Sequence, residues 1–160
     1  MFAVGRMIEL SVHLPEGPGL LGKFMASATS CSARILASCC YCDRSGTVVR
    51  LVTEDPEKTA RALAAVGIGC TKTTVVLIQA ESSPTAAARI GAALARANVP
   101  MLYSYLSFDE GNFSATVLKT ADDARALSLL RAEAGGAVLA MPDRQAGACR
   151  AGSETQSLAA

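Results

Sequence analysis

Apolar and polar positions alternate from Met7 to Leu14. Ile8, Leu10, Val12 and Leu14 fall on one side; Glu9, Ser11 and His13 fall on the other. A period of two is that of a half-buried strand. From Pro18 to Ala33 the spacing lengthens to that of a helix, with Leu20, Leu21, Phe24, Met25, Ala28 and Cys31 as its stripe. Pro18 suits the first turn, where its missing N–H would find no partner anyway. Residues 34–43 read as a second strand, DRSG at 43–46 as a turn, and TVVRLVT as the returning strand of a hairpin. EDPEKTARALAAVG opens with acids and a proline and closes with glycine. It reads as a helix with Leu63 and Val66 inward.

The order strand, helix, strand, strand, helix then returns at an offset of 66 residues. TTVVLIQA, SPTAAARIGAALARANV, PMLYSYLSFD, FSATVLKT and ADDARALSLLRAE supply its elements, and GGAVLAMP reads as a last strand. Pro18 maps to Pro84, Phe24 to Ile90, Asp43 to Asp109 and Leu63 to Leu129. Similar residues meeting at one shift across five elements mark an internal repeat, which fixes architecture. Little chain separates the helix ending at Val66 from the one starting at Pro84, so one long strand over roughly 68–81 closes the first unit and opens the second. The expected fold is α+β: two ferredoxin-like βαββαβ units in tandem, each an antiparallel sheet with its helices on one face. The expected divisions are 1–71, 72–142 and a small, polar, disordered tail over 143–160. The helix-free faces need solvent, another sheet or a subunit to cover them, which makes a homodimer the expected state.

Composition narrows the function. The net charge is +1 and only 4% of residues are aromatic, so no basic stripe invites nucleic acid or an anionic membrane. A nucleic-acid-binding βαββαβ module is the alternative that shares this strand order. It needs basic and aromatic residues on the sheet face, and TVVRLVT and FSATVLKT do not supply them. No apolar run approaches the ~18 residues of a membrane span. Arg6 and Glu9 interrupt the stretch where a signal peptide would be apolar, so the expectation is a cytoplasmic, unprocessed chain. Six cysteines raise a Cys-based metal protein as a second alternative. In CCYC, however, strand alternation sends Cys40 and Cys42 to one face and Cys39 to the other, and the lone histidine, His13, lies in another strand. No metal or cofactor is expected. No Ser/His/Asp set, carboxylate pair or phosphate loop is visible, so the chain reads as a binding protein and not an enzyme.

The turn LPEGPGLLGKF sets Gly17-Pro18-Gly19-Leu20-Leu21 between the first strand and its helix. It resembles the signature of the ACT domain family, a strand followed by an Asp/Asn-x-Pro-Gly type loop and a leucine opening the helix. With the repeated strand order, the likeness covers residues 7 to about 142. In form it resembles a stand-alone tandem ACT protein. The resemblance implies a regulatory module that binds a free amino acid between neighbouring units, and a separate enzyme of amino-acid metabolism as its partner. Elementary chemistry agrees. The first N–H groups of a helix lack internal partners and suit a carboxylate, and Gly17 and Gly19 keep Cβ atoms out of its way. The expected contacts are Glu16 or a strand-end carbonyl for the ligand's ammonium, Gly17 and Pro18 as the loop, and the amides of Gly19, Leu20 and Leu21 for its carboxylate. Tyr103 and Tyr105 share a strand face, with Cys39 at the position equivalent to Tyr105; they are expected either to wall the ligand's side chain or to pack in the sheet interior or against a partner. Two departures stand out. Gly17 occupies a position often polar in the family, and the second unit has Ser83-Pro84-Thr85, where Ser82 or Ser83 would cap the helix.

Overall fold

A computed structural model describes residues 2–15, 19–44, 46–81, 84–108 and 113–135. The elements run β1 (Phe2–Leu14), α1 (Leu20–Ser30), β2 (Ile35–Asp43), β3 (Gly46–Thr53), α2 (Pro56–Ala65), β4 (Thr71–Glu81), α3 (Pro84–Arg96), β5 (Met101–Phe108), β6 (Phe113–Thr120) and α4 (Asp123–Glu133). The α+β reading is the observed class, and β4 is the shared strand anticipated near 68–81. The expected last strand GGAVLAMP and the tail after it lie outside the described residues.

The strands form one antiparallel sheet in the order β2-β3-β1-β4-β6-β5. β1 and β4 fuse the halves. Each opens its own unit and flanks the opening strand of the other. Their register pairs Ile8 with Thr74, its own equivalent 66 residues on, so an internal two-fold passes through that pair. The repeat extends to defects: the register shift between Ile35 and Ala37 in β2 recurs between Met101 and Tyr103 in β5. Beyond the second hairpin the offset becomes 67. Asp55 and Asp122 are the matching N-caps, and Leu63 and Leu130 the matching buried leucines, both 0% exposed. Leu130, not Leu129, is therefore the partner of Leu63. Val66 is 56% exposed, because it caps α2 through bonds to Leu63 O and Ala64 O instead of facing inward.

Two helix-side cores follow from the alternation. Val12, Leu14, Val49 and Leu51 meet Phe24, Ala28 and Leu63 in the first half. Val4, Val76, Ile78 and Leu118 meet Ile90, Leu94, Leu127 and Leu130 in the second. Each fully buried side chain of this size contributes roughly 1.5–3 kcal/mol relative to exposure. The helix-free faces cover each other: the sheet curls until its edge strands touch, with Ser38 N donating to Ser107 Oγ at 3.1 Å. Met7, Leu36, Val52, Val75, Leu77 and Val117 form a third core inside the curl. Of the covers anticipated, solvent, another sheet or a subunit, it is sheet from the chain's own other half that lies over each face.

Candidate functional site

The helix start that the sequence singles out is described from Gly19 onward; Glu16, Gly17 and Pro18 lie outside the described residues. Gly19 is the N-cap of α1 at φ 82°, the left-handed region that favours glycine, and among the described residues no side chain caps the helix. Among the described residues, a Cβ placed on Gly19 would meet nothing within 4 Å. α2 and α4 differ: Asp55 accepts from Lys58 N, and Asp122 from Arg125 N, each at 2.9 Å. Leu20 packs at the margin of the first core, whereas Leu21 is 43% exposed and so leaves the stripe expected for it.

The curl assembles a second group. Glu9, in the middle of β1 on the helix-free side, is fully buried. Its Oε1 accepts from Arg50 Nη1 and from Tyr103 OH, both at 2.7 Å, and its Oε2 accepts from Tyr105 OH at 2.9 Å. The guanidinium carbon of Arg50 lies 4.2 Å from the ring centre of Tyr103, and its Nε and Nη2 donate to Tyr41 OH at 3.3 and 3.2 Å. Cys39 pairs with Arg50 across β2 and β3. Burial, then the Glu9 charge, push the Cys39 thiol above its ordinary value. Burial and the Glu9 carboxylate likewise hold the phenols of Tyr103 and Tyr105 well above the usual tyrosine range. Desolvation works against the Arg50 cation, but its bonds to Tyr41 and Glu9 keep it firmly charged.

Cys39, Tyr103 and Tyr105 therefore do come together, around Glu9 and Arg50. They do not meet Gly19, Leu20 and Leu21. Leu14 stands five residues beyond Glu9, about 17 Å along the strand, and α1 packs on the opposite face. Glu9 and Arg50 did not stand out in the sequence because an acid at an alternate strand position reads as solvent-facing. The usable signal was a carboxylate, an arginine and two tyrosines all on helix-free faces. Chemically the group is a lock. Its carboxylate accepts from three donors, and burial with the Glu9 charge disfavours the thiolate of Cys39. Among the described residues no three His, Cys, Asp or Glu side chains gather as a metal ion would need, and no helix is long and apolar enough to cross a membrane.

The fold has solved counterparts. The protein BT0572 from Bacteroides thetaiotaomicron matches with a TM-score of 0.72 at 21% identity, over 82% of this chain and 90% of that one. The ligand-free regulatory subunit of aspartate kinase from Thermus thermophilus matches with a TM-score of 0.57 at 13% identity, over 82% and 95%. Aspartate kinase from Synechocystis matches with a TM-score of 0.53 at 16% identity, over 88% of this chain and 28% of the enzyme. No family model matches the sequence, and no curated protein does. The chain thus has the fold of ACT-type regulatory domains, and the resemblance read from its first turn stands at the level of the fold.

Proposed function

We propose that this chain is a ligand-sensing regulatory module whose ligand is a free amino acid, bound with its carboxylate at the start of α1 between ACT units. The observation that carries this reading is the left-handed Gly19 at the helix start, with no side-chain cap and nothing within 4 Å of its Cβ position among the described residues. A helix start of that kind offers unpaired N–H groups and the positive end of the helix dipole to an anion. The fold supports it, since structures named as regulatory subunits of aspartate kinase share it. Glu16 is assigned to the ligand's ammonium. Ligand acts by favouring one arrangement of units over another, through its differential affinity for the two. The regulated partner is an enzyme of amino-acid metabolism, and no catalytic role is assigned to the chain itself.

A thermal-shift screen of the twenty amino acids tests this. One or two should raise the melting temperature, by an amount that grows with concentration. Gly19→Asn keeps a residue tolerant of left-handed φ but fills the space before the amides, so it should abolish that rise. A bulky β-branched residue would strain the backbone instead and is the poorer probe. A flat screen with the native chain, or an undiminished rise with Gly19→Asn, overturns the assignment.

A further inference from the structure

β4 closes the first half by pairing with β1. By the internal two-fold, the strand that closes the second half belongs beside β4, and the early stretch of β1 already stands there: Phe2 to Ile8 pair with Thr74 to Ala80. The segment GGAVLAMP, read from the sequence as the last strand, therefore finds its expected place taken. On its other side this stretch of β1 meets no described strand, because β3 pairs only from Glu9 onward. Bare edges invite pairing and are ordinarily guarded by charge, lysine above all. The equivalent edge, on β4, is guarded: Thr71 and Lys72 are exposed, and Lys119 Nζ donates to Thr74 O at 3.0 Å. On β1 the offset of 67 puts Val52 where Lys119 stands. Gly5 is buried there, whereas its equivalent Thr71 is exposed, and Val4 and Met7 are buried beside it. A glycine has no side chain to shield its backbone, so burial at an unpaired edge means that other residues lie against it.

The chain beyond α4 is placed to supply that cover. Val4 packs with Leu127 and Leu130, so the last turns of α4 lie over this stretch of β1. The helix ends at Gly135, whose left-handed φ and N–H bond to Ala132 O repeat those of Gly67 after α2 and Asn98 after α3. After both of those turns the chain drops onto the sheet at once: Ile68 packs against the first core, and Val99 is buried in the second. Past Gly135 and one more glycine come residues 137–141, AVLAM, an uncharged apolar run of the kind that suits a strand covered on both faces. Pro142 follows, with no N–H for a ladder, and ends the run. Direction follows from connectivity. β6 runs against β4, α4 returns, and a strand leaving α4 runs with β6 again, which makes it parallel to β1. We infer that residues 137–141 of this chain add to the outer edge of β1, along Ala3 to Met7, as a seventh strand parallel to it. The inference is independent of the ligand reading.

The test uses the full chain in two measurements. In amide hydrogen exchange, the N–H groups of residues 3–7 that do not bond to β4 should exchange slowly, and equally slowly on dilution. The double variant Val138→Asp, Leu139→Asp should speed their exchange about tenfold or more, while the amides of Val76 to Ile78, in the middle of the sheet, keep their protection. Ala146→Asp with Ala148→Asp, beyond Pro142, should change neither. The second measurement needs no variant. Elastase, which cuts after small apolar residues, should cleave the native chain quickly at Ala146 and Ala148 and slowly within 137–141. Fast exchange at this edge in the native chain, or slow exchange that survives both aspartates at 138 and 139, overturns the inference. So does elastase cleavage as fast within 137–141 as beyond it. Protection that disappears on dilution also overturns it, because the edge would then be covered by a strand from a second copy.

Discussion

Glu9 keeps a carboxylate inside the curl by giving every donor within reach a use. Arg50 neutralises it, and Tyr103 and Tyr105 each donate to it. Buried pairs of this kind stabilise little compared with an apolar replacement, but removing one member strands the rest. Glu9→Ala should therefore cost about 3–5 kcal/mol in urea unfolding, since it leaves Arg50 charged and mostly enclosed. Tyr105→Phe, which deletes one bond to a charged group, should cost about 1.5–3 kcal/mol. A loss below half a kcal/mol for both, roughly the level of an exposed surface change, would show that the carboxylate does not hold the curl closed.

At the scale of elements, α4 shows how a helix start is fastened to a strand. Asp123 accepts from Thr120 N and Thr120 Oγ1, each at 2.9 Å, and from the ammonium of Lys119. Burial pushes its carboxyl up, but the bonds from Lys119 and Thr120 outweigh that and hold it below the ordinary aspartate value. A depressed value stabilises the fold above the unfolded-state pKa of about 3.9, and the contribution fades as pH falls through the lower native value. Asp123→Asn should thus lower the urea midpoint at neutral pH, with the gap to the native chain closing at the acid end. An equal gap at both ends would rule out this ionisation as the source. The elements themselves were legible because periods of two and 3.6 are local properties: the ten described elements stand close to where alternation and helical spacing put them, except that β1 begins at Phe2, five residues before the alternation read from Met7. The slip from 66 to 67 was not. One extra residue in a hairpin changes no period, and two adjacent leucines, Leu129 and Leu130, hide it.

Across the whole molecule the curl was the least legible feature. Glu9 and Tyr103 stand 94 residues apart, and nothing local announces that the two helix-free faces turn toward one another. Alternation located Tyr103 and Tyr105 on a shared face but could not say what they would meet. The glycines of the opening loop were read as leaving the backbone accessible; that Gly19 takes a left-handed φ is a finding the sequence reading did not make. Because β1 and β4 belong to both halves, unfolding should be a single event. Far-UV circular dichroism and tyrosine fluorescence should trace one coincident urea transition. Two separated transitions would mean that each half stands alone.

The pairing of Ile8 with Thr74 also bears on how the chain is made. During synthesis the first strand leaves the ribosome long before the residues that must flank it, and the half it helps to build is incomplete until then. Its early stretch, from Ala3 to Ile8, must wait for Thr74 to Gln79 to emerge. The nascent protein therefore cannot finish one half and then add the other; both settle together, late.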